Sequence, residues 1–249
     1  MLVAGLTNKG LERPRNEDNC FAEADSGSAL LAVADGMGGH RAGNVASSIA
    51  VTAAEHFWSD FDRANFPTAE KAREMIKNLI VKANEEVLNE AVNSSECKGM
   101  GTTFTAGLLC GNRLTIGHIG DSRAYLINKG QIKLLTRDHS LVEQLVESGQ
   151  ISPEDAENHP QKHVLTRALG ISPDLQLDIS EEKIENGSTL IFCTDGLTNM
   201  VRDEEILRES SNQPDPEKLA EALIKLANSR GGLDNITVVV ATNIGGQKA

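Results

Sequence analysis

Apolar residues recur along the chain partly in a strand rhythm and partly in a helix rhythm. Leu30-Leu31-Ala32-Val33-Ala34 and Thr189-Leu190-Ile191-Phe192-Cys193 are nearly continuous apolar runs, short enough for strands buried on both faces. Each is followed within two residues by Asp-Gly. Leu114, Ile116, Tyr125 and Ile127 mark alternating strands on either side of Gly120-Asp121, and Asn128-Lys129-Gly130 offers a second turn before Ile132 and Leu134. This pattern predicts an antiparallel meander. Ile236, Val238 and Val240, alternating with Thr237, Val239 and Ala241, predict a last buried strand.

The helix rhythm is clear in three segments. From Ala69 to Val92, residues Ala72, Met75, Ile76, Leu79, Ile80, Ala83, Val87 and Leu88 form one stripe behind an N-cap at Thr68. From Pro216 to Arg230, Asp215 caps the start, Leu219, Ala222, Leu223 and Leu226 line one face, and Gly231 ends it. From about Ala42 to Phe57, Ala46, Ile49, Ala50, Ala53 and Phe57 share a side. Antiparallel strands with amphipathic helices that each need a sheet to cover predict an α+β class, a layered sandwich with helices outside and sheets within. No repeat or Pro/Ser-rich linker divides residues 1–249, so a single domain is expected.

Composition removes several functions. With 24 Lys+Arg against 36 Asp+Glu the formal net charge is −12, and aromatics make up only 3%, so neither a phosphate-backbone footprint nor a base-stacking platform is written here. Cys20, Cys97, Cys110 and Cys193 are far apart and form no C-x-x-C pair; they are expected to be reduced core residues. The N-terminal segment lacks the basic start and long apolar stretch of a secretory signal, and no apolar run approaches the ~20 residues that span a bilayer. A cytoplasmic protein is expected.

The informative feature is where carboxylates fall. Glu17-Asp18, Asp35-Gly36, Asp121, Asp195-Gly196 and Asp234-Asn235 each lie where an apolar strand meets a turn. After Asp35-Gly36 and after Asp195-Gly196 the chain enters helical pattern, which argues against simple hairpin loops; for Asp121 a hairpin turn stays open. Strand-end carboxylates gathered in one cleft cannot all stay ionised without a cation among them. An oxygen-only ligand set suits Mg²⁺ or Mn²⁺ better than zinc. Two such ions about 3.5–4 Å apart would bring the pKa of a shared water towards neutrality and so make a hydrolytic nucleophile. Rival motifs fail on the letters. Asn44-Val45 stands where a P-loop needs Lys-Ser/Thr, Arg41 occupies the third glycine of a dinucleotide fingerprint, no G-x-S-x-G occurs, and no cysteine is followed six residues later by arginine.

Taken together, R-x-x-N-E-D-N, V-A-D-G-M-G-G-H, G-T-T, I-G-D-S-R-x-Y, L-T-x-D-H-S, L-T-R-A-L-G, T-D-G-L and D-N-x-T resemble the metal-dependent protein phosphatases of type 2C in their compact bacterial form, from about Gly5 to Thr242. The resemblance implies a four-layer α/β/β/α sandwich around two Mn²⁺ or Mg²⁺ ions, and hydrolysis of phosphoserine and phosphothreonine in proteins. It makes Asp35 the bridging ligand and the Gly36 carbonyl a ligand of one metal, with Asp195 and Asp234 completing the other. Glu17 and Asp18 match an acidic pair that supports the cluster directly or through water, and Asp121 with Asp195 a third, weaker metal site. Arg13 matches the arginine that grips the substrate phosphate. Residues of about 140–168 match a flap beside the cleft, with Ser152-Pro153-Glu154-Asp155 as a short capped helix and Asp138-His139 ordering its base. Met37 stands where many eukaryotic members carry a histidine proposed as general acid, so His40 or a metal-bound water would protonate the leaving group. The implied partners are phosphoproteins of a serine/threonine kinase, with no nucleic acid or membrane, and a monomer. A metal-dependent hydrolase of small phosphate esters and a catalytically silent binding module of the same fold are the rival functions.

Overall fold

The computed structural model describes residues 1–25, 27–38, 42–63, 65–157 and 159–245. In chain order the elements are β1 (Leu2–Asn8), β2 (Asp18–Ala24), β3 (Ser28–Met37), α1 (Ala42–Asp60), α2 (Ala69–Asn93), β4 (Gly101–Thr102), β5 (Phe104–Cys110), β6 (Arg113–Ile119), β7 (Arg123–Asn128), β8 (Gln131–Leu134), α3 (Leu141–Glu147), α4 (Pro153–Glu157), β9 (Asp178–Lys183), β10 (Thr189–Cys193), α5 (Asp195–Thr198), α6 (Asp203–Asn212), α7 (Pro216–Ser229) and β11 (Ile236–Thr242). Among these residues one antiparallel sheet has the order β1-β11-β10-β7-β8 and the other β2-β3-β5-β6-β9, with β4 paired to β3. The two buried runs foreseen in the sequence are β3 and β10, interior strands of different sheets.

Strand alternation builds the layers. On β3, Leu31 and Val33 face the other sheet and pack with Phe192 and Val239, while Leu30, Ala32 and Ala34 face α1 and α2. On the opposite sheet, Ile191, Cys193, Val238 and Val240 face outward onto Leu219 and Leu223 of α7. Each fully buried Leu, Val or Phe of this kind contributes roughly 1.5–3 kcal/mol relative to exposure. The helices start on side-chain caps as predicted: Thr68 accepts from the Lys71 amide at 3.3 Å and Asp215 from the Lys218 amide at 3.0 Å. All the cysteine thiols are free, Cys97 and Cys193 buried, Cys20 and Cys110 half-buried. No helix among the described residues is long and apolar enough to cross a membrane.

The meander expectation is corrected. Strands β7 and β8 do form a hairpin, with Lys129 and Gly130 at φ of +50° and +74°. Strand β6, however, pairs with β5 and β9, whereas β7 pairs with β10 in the other sheet. Alternation reports which face a residue takes but not which strand lies beside it. Gly120, Asp121 and Ser122 therefore carry the chain from one sheet to the other, and Asp121 lies on that crossing rather than in a hairpin.

Candidate metal centre

The inward parity that buries Leu31 and Val33 also turns Asp35 into the space between the sheets, at the end where the apolar filling stops. Its cross-strand partner in the β2–β3 ladder is Asp18. Register alone thus sets two carboxylates side by side. The Asp35 backbone is fixed from outside the ladder: its amide donates to the Thr103 hydroxyl at 2.9 Å, and its carbonyl accepts from the Thr103 amide and the Thr102 hydroxyl, both at 2.9 Å. Thr103 in turn shares a 2.8 Å hydroxyl contact with Ser122, next to Asp121.

Asp18 is buried, with 3% of its surface exposed. Its Oδ2 accepts the hydroxyls of Thr194, after β10, and Thr237, in β11, each at 2.8 Å, so this carboxylate ties one sheet to the other. Its Oδ1 is buried with no partner. Asp195 begins α5; its Oδ2 accepts from Asn199 at 3.0 Å, and its Oδ1 is likewise buried and unpartnered. Asp234 has both oxygens engaged, Oδ1 by the Asn235 amide at 2.8 Å and Oδ2 by Arg13 at 2.6 Å. The Asn235 side chain accepts from the Glu17 amide and donates to the carbonyls of Lys9 and Arg15, all at 2.8 Å, stapling the 9–17 loop to the start of β11. Gly36 donates to the Glu17 carbonyl at 3.2 Å, and a Cβ on it would fall 2.1 Å from the Gly43 carbonyl oxygen. Only glycine lets the end of β3 pass this close to the start of α1.

The acids act on one another's charge. Asp35 is held well above the carboxylate range by burial first, then by the charges of Asp18, Asp195, Asp121 and Asp234. Asp121 is also raised well above that range by burial and by Asp195 and Asp138, and Asp195 is raised by burial and Asp234. Burial lifts Asp18 to about 7 against the two threonine hydroxyls. Glu17 is raised by burial, with Asp234 adding to it and Arg13 and Arg15 opposing. For the Arg13 guanidinium, burial opposes the charge, yet the bond to Asp234 and the charges of Asp234, Asp35 and Asp195 raise its pKa.

Glu17, Asp18, Asp35, Asp121, Asp195 and Asp234 are therefore brought within electrostatic reach of one another, with Gly36 beside them. Among the described residues no group of three or more His, Cys, Asp or Glu side chains is already drawn tightly enough to enclose an ion. Asp234 is turned to Arg13. The all-oxygen donor set and the orphaned oxygens of Asp18 and Asp195 fit hard divalent cations. A cleft of about 940 Å³ opens over Asp121 and Asp195 and is walled by Arg123, Asp138, Glu143 and His163. A second hollow of about 480 Å³ lies between Arg13, Arg15, Glu17, Gly38 and Asn235. His40 lies outside the described residues. The threonines that orient Asp18 and Asp35 were not singled out in the sequence as supports; G-T-T and D-N-x-T were visible only as motif letters.

A sequence profile described as Protein phosphatase 2C matches residues 12–227. The chain is 39% identical over 236 residues to the serine/threonine phosphatase stp of Listeria monocytogenes, covering 94% of this chain and 92% of the relative. It is 38% identical over 246 residues to the protein phosphatase PhpP of Streptococcus pneumoniae, covering 97% of each. Among solved structures, the serine/threonine phosphatase PstP/Ppp of Mycobacterium tuberculosis superposes with a TM-score of 0.88 at 37% identity over 97% of both chains. The catalytic domain of PstP in complex with two manganese ions superposes with a TM-score of 0.85 at 36% identity, again over 97% of both.

Proposed function

The chain belongs to the protein phosphatase 2C family, and on that premise we propose that it removes phosphate from phosphoserine and phosphothreonine in proteins, using two Mn²⁺ or Mg²⁺ ions. The observation that carries this reading is the pair of buried, unpartnered oxygens on Asp18 and Asp195 among carboxylates that raise one another's pKa values. Asp35, Asp195 and Asp234, with the Gly36 carbonyl, would hold the ions. Glu17 and Asp18 support that set, and Asp121 with Asp195 would hold a further, weaker ion. When bound, the ions supply the positive charge that lets these acids ionise together and that activates water for in-line attack on phosphorus.

The protein's own groups do the rest. Asp18, fixed by Thr194 and Thr237, keeps the end of β2 rigid beneath Asp35. Arg13, which reaches Asp234 at 2.6 Å, would offer its planar fork to two phosphoryl oxygens of the substrate. Met37 has no proton to give, so the departing hydroxyl draws its proton from another group in the cleft. Burial pushes the thiols of Cys20 and Cys110 up to about 11 and that of Cys193 up to about 12, so none of these three supplies a thiolate nucleophile at neutral pH. This argues against a cysteinyl phosphoenzyme at these three positions.

We further read residues 1–249 as one catalytic domain, 140–168 as the flap beside its cleft, and the protein as a cytoplasmic monomer opposing a serine/threonine kinase. The test is phosphate release from a phosphothreonine peptide, free phosphoserine and pyrophosphate, with Mn²⁺ and with a chelator. Release from the peptide that disappears with chelator is expected. Chelator-insensitive release, or a preference for pyrophosphate, overturns the reading.

A further inference from the structure

His139 is buried, with 2% of its surface exposed, and it grips a single residue of the sheet-to-sheet crossing from two sides. Its amide donates to the Gly120 carbonyl at 2.7 Å, and its ring Nδ1 accepts the Gly120 amide at 3.2 Å. Gly120 has φ of +112°, and a Cβ on it would meet the Thr103 side chain at 2.5 Å, so the crossing is pressed between Thr103 and His139. Asp121 follows at once. On the far edge of the ring, Nε2 lies 3.2 Å from Asp178 Oδ2, and Arg167 bonds Asp178 Oδ1 at 3.1 Å while its Nη1 stands 3.2 Å from Nε2. With Nδ1 accepting, the neutral ring carries its proton on Nε2 and donates it to Asp178. The His118 ring packs against it at 4.7 Å between centroids. The main chain of the same residue also begins the segment that walls the cleft: its carbonyl accepts the Thr166 amide at 2.8 Å, Ser140 bridges Leu165, and Leu141 donates to Val164 at 2.8 Å.

We propose that His139 is the positioning residue for Asp121: by holding both polar groups of Gly120 it sets where that carboxylate stands over the metal centre, and it couples that position to the root of the 140–168 segment. The proposal rests on the metal-centre reading above, since it assigns Asp121 an ion to hold. A residue acting one bond removed from a ligand typically changes metal affinity by roughly 10–100-fold when its contact is lost.

Paired substitutions separate the two edges of the ring. Asparagine places an amide oxygen near the position of Nδ1 and can still accept the Gly120 amide. Glutamine places its amide near Nε2 and keeps Asp178 but not Gly120. Mn²⁺ is titrated calorimetrically, without substrate, into the wild type, Asp121→Asn, His139→Asn and His139→Gln. The weakest binding event is expected to vanish in Asp121→Asn, to weaken roughly tenfold in His139→Gln, and to stay close to wild type in His139→Asn. Wild-type binding in His139→Gln, or equal weakening in both histidine variants, overturns the proposal and leaves the metal centre standing. Identical titrations of the wild type and Asp121→Asn overturn the role of Asp121 and this proposal with it. Should His139→Gln fail to fold, hydrogen exchange of the Gly120 amide in the Mn²⁺-loaded wild type decides: strong protection is expected, and free exchange overturns the proposal.

Discussion

Asp18 and Asp234 share one electrostatic field but are held in different ways. Asp18 sits in the ladder between β2 and β3, faces Asp35 in register, and leans on two threonine hydroxyls of the opposite sheet. Asp234 stands on the loop before β11, half-buried, with Oδ1 held by the Asn235 amide and Oδ2 by the half-exposed Arg13. The inner acid is placed by strand pairing and by hydroxyls of the other sheet, whereas the outer one is placed by a neighbouring loop amide and by an ion pair with an exposed arginine. Depth thus divides the centre into a fixed floor and a more exposed rim.

The hardest blow to this division is Asp35→Asn. Losing the floor carboxylate should reduce turnover to background and abolish high-affinity Mn²⁺ binding together; calorimetry beside a phosphatase assay checks both, and full activity would refute the site.

The packed histidine His118 tests the rigid side without any metal. Burial first, then the neighbouring His139, lowers its pKa from 6.5 to about 4. A base whose folded pKa is depressed contributes stability that is present above the unfolded value and lost as pH falls through the folded one. His118 alone should therefore contribute a loss of about 3 kcal/mol between pH 6.5 and pH 4, read by denaturant unfolding as the difference between wild type and His118→Gln, because the raised acids of the site act with the opposite sign in the same window.

Thr237→Val removes one of the hydroxyls that cross from β11 to Asp18. A lost hydrogen bond to a buried carboxylate predicts about 2 kcal/mol of destabilisation, visible as a lower Tm. Arg13→Ala, at the rim, should leave stability within about 1 kcal/mol, because exposed ion pairs contribute little. Its effect should appear as a KM for phosphopeptide raised roughly tenfold with kcat nearly kept, since it removes binding common to ground and transition states. A large stability loss in Arg13→Ala, or none in Thr237→Val, would erase the contrast between floor and rim.

How much of this could be read from the letters depended on range. The helices were legible because their periodicity and caps are local: 69–92 was expected where α2 runs Ala69–Asn93, and 216–230 where α7 runs Pro216–Ser229. Strands β3 and β10 were legible as unbroken apolar runs. Strand β2 was not, since D-N-C-F-A-E-A carries no clean alternation and owes its place to β3. The carboxylates announced themselves by type and by standing at strand ends. Their supports did not: Thr194 and Thr237 meet Asp18 across 176 and 219 positions, and Arg13 meets Asp234 across 221. The break between β6 and β7 was hidden for the same reason, because each strand's neighbours are distant in sequence.

Only Gly120, Asp121 and Ser122 separate the last residue of β6 from the first of β7. The two layers of the sandwich are thus tied by a short tether whose middle link is an acid of the centre. The carboxylate on that link therefore belongs to both layers at once, its backbone fixed by the end of one sheet and the start of the other.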